Sequence, residues 1–170
     1  MPHHPSLKPD PNRKGSYYRR IEDIRRALKI LNPDELPEIF QFATYYFACD
    51  KLAHGIVGID ERLDDESAYK KQPSLKRIKA AAQNLKLPIS TDDLTYLFAA
   101  EYQQHLVPQS DPRHSVSARF LRNKLAHDFG PTNVKRVQAQ ADFFIPRMVA
   151  FLNCADDTLT YLKANFSDVP

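Results

Sequence analysis

A chain of 170 residues with 42% hydrophobic and 26% charged side chains is long enough to bury a real core as one domain. Its net charge of +3 permits a polyanionic partner without demanding one. No run of about eighteen apolar residues is present, so no membrane span is expected. Four glycines against thirteen prolines, many of the prolines near the N-terminus or between apolar blocks, punctuate a helical protein with defined breaks. Cys49 and Cys154 are far apart and neither sits in a C-x-x-C pair, so no zinc framework is read. They are expected to be buried free thiols. The start of the chain has no apolar signal region, and a cytoplasmic protein is the expectation.

Residues 1–14 hold Pro2, Pro5, Pro9 and Pro11 among polar residues and read as a flexible arm, with one domain over 15–170. From about Ser16 to Leu31, the spacing of Tyr17, Ile21, Ile24, Leu28 and Leu31 predicts an amphipathic helix. Arg19, Arg20, Arg25 and Arg26 lie off that stripe among acids, as a solvated ion-paired face does; a phosphate-binding ridge is the rival reading. Asn32 then reads as the cap of a second helix with Pro33 in its first turn. This second helix is apolar nearly all round (Phe40, Phe42, Tyr45, Tyr46, Phe47, Leu52) and should end near His54-Gly55, with His54 at the helix end.

Gly58 to Gln72 reads as a polar loop with room for a short helical turn. Pro73-Ser74 opens a short helix with Leu75, Ile78, Ala81, Ala82 and Leu85 in register; Lys76, Arg77, Lys79 and Lys86 make it basic, as a solvated face is, with phosphate contact as the rival reading. Ser90 caps a further helix expected to reach about His105. Asp92 and Asp93 in its first turn suit the helix macrodipole, which makes a metal pair unnecessary. A proline-bearing loop ending near His114 leads into Ser117–Phe129, a helix with Val116, Phe120, Leu121 and Leu125 as apolar positions, stopped by Gly130-Pro131. Thr132 or Asn133 should cap a long C-terminal helix that Pro146 kinks or splits. Strand-like alternation is absent, and an all-α bundle of about five helices is the expected fold.

Arg122, Asn123 and His127 gather on the last turns of the Ser117–Phe129 helix. At 100° per residue Asn123 and His127 are near neighbours, whereas Arg122 lies about 140° from His127. A second copy related by a two-fold axis would supply the missing proximity. Cleavage of RNA without a metal needs a base for the 2′-hydroxyl, an acid for the leaving 5′-oxygen and a cation on the phosphate. Histidine serves as base or acid, arginine grips phosphate oxygens, and asparagine orients the imidazole or donates to an oxyanion. The same three residues also fit an ordinary polar helix face. No carboxylate cluster with metal-ligand spacing accompanies them, so neither a metal nor another cofactor is expected.

The run Arg122-Asn123-Lys124-Leu125-Ala126-His127 resembles the R-x4-H signature of the HEPN domain superfamily, including the polar residue after the arginine. Its setting is similar too, late in a small all-α domain before a long C-terminal helix. The resemblance implies a HEPN-like helical bundle that dimerises through the motif region. It implies a metal-independent endoribonuclease of a toxin–antitoxin or phage-defence system, with Arg122, Asn123 and His127 in the active site. RNA, a second copy and an antitoxin or other regulator are the partners implied. Some members of the family are non-catalytic modules that bind RNA, nucleotides or proteins, and that is the alternative reading. In the branch paired with a nucleotidyltransferase antitoxin the motif continues to a tyrosine two residues after the histidine. Phe129 stands there in this chain and has no hydroxyl to modify, which argues against that route of control.

Overall fold

The computed structural model describes residues 14–100 and 116–170, and all regular structure among them is helical. Helix α1 (Gly15–Leu31) forms where the apolar spacing puts it, with Tyr17 and Ile21 fully buried. Its outer face is laced by ion pairs: Arg25 to Glu22 at 3.1 Å, Arg25 to Asp156 at 3.0 Å and Arg20 to Asp65 at 2.8 Å. Three of these arginine contacts are therefore spent on carboxylates, as the solvated-face reading expects. Lys14, assigned by sequence to the arm, is instead buried against the rings of Tyr17 and Phe166, its ammonium 5.3 and 5.6 Å from their centroids. The rest of the expected arm, residues 1–13, lies outside the described residues.

Asn32 does not cap the second helix. It terminates the first one in a left-handed conformation (φ 46°), its N–H donating to Leu28 O at 2.9 Å. Asparagine tolerates that conformation better than most residues. Pro33–Glu35 forms a separate 3-10 turn, and α2 (Glu38–Asp60) begins after Pro37. It runs past the expected stop at His54-Gly55. Neither glycine of α2 breaks it, and Gly58 is a point of close approach. A Cβ on Gly58 would lie 2.5 Å from the Tyr17 hydroxyl and 2.8 Å from the Ala68 methyl. Phe40 and Phe47 are exposed, so α2 is not enclosed along its whole length.

The expected polar loop contains helix α3 (Asp65–Lys70), started by Asp64, whose carboxylate accepts from Ser67 N at 2.8 Å. Helix α4 (Leu75–Asn84) follows with all its anticipated apolar positions buried and Ser74 accepting from Arg77 N at 3.3 Å. Helix α5 (Thr91–Phe98) is capped by Ser90 as expected but stops seven residues before His105, which, like His114, is outside the described residues. Asp93 of its first turn faces Arg147 at 3.3 Å.

Helix α6 (Ala118–His127) carries the motif, and α7 (Pro131–Asn165) is one continuous helix of 35 residues. Pro146 does not split it. The Arg147 side chain donates to Phe143 O at 2.8 Å, supplying a donor in the turn where a proline weakens the backbone ladder. Gly130 and Pro131 start α7, rather than Thr132 or Asn133. Among the described residues seven α-helices stand where about five were expected, the difference lying mainly in short segments such as α3.

The largest helix–helix interface joins α2 and α7. Phe42 meets Phe144 edge-on at 6.3 Å, and the buried Cys49 thiol donates to Met148 O at 3.4 Å. Both cysteines are free and buried. Burial pushes the Cys49 thiol well above its ordinary pKa and that of Cys154 up to about 11. No helix among the described residues is long and apolar enough to cross a membrane.

At Gly58 two effects compete. Alanine gains about 1 kcal/mol of helix propensity, whereas overpacking against Tyr17 and Ala68 costs about 1–3 kcal/mol or more. The contact distances put the clash ahead. Gly58→Ala is expected to lower the urea midpoint of unfolding, and an unchanged or raised midpoint would contradict the packing at this crossing.

Candidate functional site

Helix α6 is anchored at both ends by side chains. At its start, Ser117 Oγ accepts from Phe120 N at 3.0 Å and donates to Ala99 O at 2.7 Å, tying α6 to the end of α5. Ala118, Phe120, Leu121 and Leu125 are buried, so the helix is held by its apolar side. At its end, the Asn133 amide donates to Lys124 O at 3.3 Å and to Asp128 O at 2.9 Å. Carbonyls at a helix C-terminus have no partner within the helix, and Asn133 supplies one from the first turn of α7. That turn fixes how the motif leaves the bundle.

On this support, Arg122 Nη1 donates to Asn123 Oδ1 at 3.0 Å. Both side chains are partly buried. His127 is exposed at the last position of the helix, and among the described residues it makes no hydrogen bond to Arg122 or Asn123. The structure therefore brings two of the three motif residues together and sets the third one turn onward. Occupied by the guanidinium, the Asn123 carbonyl leaves the amide nitrogen of the same group as a donor on the side shared with His127.

Sequence reasoning missed what lies beneath. Arg119, one turn before Arg122, is only 7% exposed and donates to Pro73 O at 3.1 Å. Its guanidinium lies 5.7 Å from the Phe98 ring centroid. The Tyr46 hydroxyl is buried nearby, and burial pushes its pKa up to about 12 although the charges of Arg119 and Arg122 pull the other way. Tyr46 thus remains a neutral phenol below the motif helix. Its i+4 and i+8 neighbours on α2 continue a polar track inside the bundle. His54 Nδ1 donates to Ala68 O at 2.8 Å, and Nε2 faces Asp50 at 3.6 Å. Gln72 donates to Asp50 at 2.9 Å. His54 is therefore a buried mid-helix residue stacked on Tyr69 at 5.6 Å, and not a helix-end cap. The available signal was the spacing of Tyr46, Asp50 and His54, three polar groups on one face of an otherwise apolar helix.

Of the other phosphate-contact candidates, Arg77 pairs with Glu61, and Arg20 and Arg25 pair with Asp65 and Asp156. Among the described residues no group of three or more His, Cys, Asp or Glu side chains is arranged to hold a metal ion. An open groove of about 670 Å³ runs between α1 and α2, floored by Ile24, Ala27, Leu28 and Ala48 and edged by Lys51 and Phe47. It is formed without any residue of α6.

Two stability tests follow from these contacts. Asn133→Ala removes both capping bonds and is expected to cost roughly 1–2 kcal/mol, with faster amide exchange confined to the end of α6. Burial acts to raise the Asp50 pKa, but His54, Gln72 and the Lys51 charge outweigh it and hold the carboxyl below its ordinary value. A depressed carboxyl stabilises the fold above the unfolded-state pKa, and that share is lost as pH falls through the folded one. Asp50→Asn should therefore be clearly less stable than wild type at pH 7, with the gap narrowing below about pH 4 in denaturant titrations. Compared with known proteins, the chain matches no family model, and neither the curated proteins nor the solved structures contain a significant match.

Proposed function

We propose that the chain is a HEPN-type, metal-independent endoribonuclease whose active groove is completed by a second copy of itself. The observation that carries this reading is the arrangement at the end of α6, where a hydrogen-bonded Arg122–Asn123 pair precedes an exposed His127 by one turn. His127 is reachable by substrate and serves as the base toward a 2′-hydroxyl or the acid toward the leaving 5′-oxygen. Arg122 offers a permanent charge to the phosphate as negative charge builds on its oxygens. Asn123 keeps the guanidinium in place through its oxygen and donates from its nitrogen. Because the arginine and the imidazole diverge around the helix, the composite pair is Arg122 of one subunit with His127 of the other.

The buried Arg119 and the anchored helix ends support the reading, since a catalytic side chain must be held by a rigid second layer. By the same resemblance, the protein acts in the cytoplasm as a toxin or phage-defence component restrained by an antitoxin or other regulatory protein. Phe129 excludes control by modification of a tyrosine at that position.

The test is cleavage of RNA in the presence of EDTA. Wild type is expected to cleave, while Arg122→Ala and His127→Ala each lose about a hundredfold or more with unchanged melting temperature. Mixing the two inactive variants should restore part of the activity, because a mixed dimer contains one site with both residues intact. Full cleavage by both variants would overturn the assignment. Dimeric variants that do not complement one another would place the whole site within one chain. Salt-sensitive RNA binding with no cleavage by wild type would mark a binding module instead.

A further inference from the structure

Phe120, Asn123, Lys124 and His127 are spaced i, i+3, i+4 and i+7 and so share one face of α6. Two cations flank the Phe120 ring on that face. Lys124 Nζ lies 5.6 Å from its centroid, and the Arg136 guanidinium, contributed by α7, lies 5.0 Å away. Residues 116–136 contain five lysines and arginines against one acid, Asp128. Arg119 is buried beneath the helix, so the positive charge that reaches the surface here is that of Arg122, Lys124, Lys135 and Arg136.

At the end of the same corner stands Phe129, 72% exposed. The other large apolar residues exposed among the described residues (Ile30, Leu31, Phe40 and Phe47) belong to α1 and α2. Single exposed apolar residues are common, and exposure alone would mean little. What distinguishes Phe129 is the backbone that presents it. Gly130 N–H donates to Asp128 O at 2.9 Å, closing a tight turn centred on Phe129. Asn133 holds Asp128 O and Lys124 O from the other side, and Pro131 starts α7 immediately afterwards. An aromatic residue is thus exposed on a pinned turn, two residues from His127.

We propose that Phe129 is a nucleobase-stacking residue and that single-stranded RNA lies along the Arg136–Lys124–His127 face with one base on the Phe129 ring. This rests on the ribonuclease reading for the identity of the polyanion, but it concerns binding and needs no cleavage. Every base has a π-face, so stacking on one ring tolerates sequence, while lysine and arginine follow the backbone. A pinned turn lowers the ordering cost that a mobile aromatic would incur on binding. Phenylalanine in this position then has a use of its own, for which a hydroxyl is unnecessary.

The probe is a mixed-sequence 2′-O-methyl oligonucleotide of about 12 nucleotides with a central 2-aminopurine, which cannot be cleaved through its 2′-oxygen. Wild type is expected to bind it at low salt and to quench the 2-aminopurine fluorescence. Phe129→Ala and Phe129→Leu should each weaken binding roughly tenfold and lose the quenching, while Phe129→Trp keeps both. Leucine preserves apolar bulk without a π-face, so the pair of variants separates stacking from simple burial, and circular dichroism checks that each is folded. Lys124→Ala with Arg136→Ala should weaken binding and flatten its salt dependence. Binding and quenching by Phe129→Leu equal to wild type, or no binding by wild type at low salt, would overturn the proposal. The two readings fail separately. Stacking by Phe129 with no cleavage of unmodified RNA sinks only the ribonuclease, whereas cleavage lost in His127→Ala with Phe129→Leu binding unimpaired sinks only the stacking.

Discussion

The structure depends on burying a helix that has almost no polar side. Much of α2 is enclosed from Phe42 to Ile59, and α1, α3, α4, α6 and α7 all pack against it. Close burial of such a helix leaves little room at the crossings, which is why glycine serves at position 58 under the Tyr17 ring. The same burial decides what happens to the few polar groups that α2 does carry. His54 is buried and Asp50 only partly exposed, and they are met by the peptide carbonyl of Ala68 and the side chain of Gln72. Burying these groups without partners would cost more than the contacts return. The polar track is a consequence of how completely α2 is enclosed.

Helix α6 is placed by that same enclosure. Its apolar side closes the core, Ser117 ties its start to the end of α5, and Asn133 of α7 donates to the carbonyls at its end. The motif turn therefore projects from the bundle with little freedom to rotate. Exposure of His127 is produced by the rigid part of the molecule. Fixed donors and acceptors act on a substrate without first having to be ordered, and this is the physical advantage of building a site at a pinned helix end.

Much of this was legible in the residues themselves. The spacing of Val116, Phe120, Leu121 and Leu125 placed α6, and all four are buried; Ser74 and Ser90 announced their helices through cap chemistry that acts within one turn. Features that depend on distant parts of the chain were not legible. Gly55 looked like a stop because local propensity favours ending a helix there, yet α2 is buried on both sides of it and runs on to Asp60. Pro146 looked like a break, but a helix packed against α2 and supplied with a donor by Arg147 continues through it. At the site, angular spacing separated Arg122 from His127 correctly and still overlooked the Arg122–Asn123 bond. Adjacent residues point apart at Cβ, and only a side chain as long as arginine returns across that gap.

The closing of the helical domain on its own beginning has a different kind of consequence. Gly15 N–H donates to the Asp168 carboxylate at 3.1 Å, and Lys14 sits between the rings of Tyr17 and Phe166. The start of α1 is thus completed by residues near the far end of the sequence. A chain emerging from a ribosome has α1 long before it has those partners, so this seam forms only after translation has passed residue 168. A chain that stops short of these residues lacks the clasp that completes the start of α1.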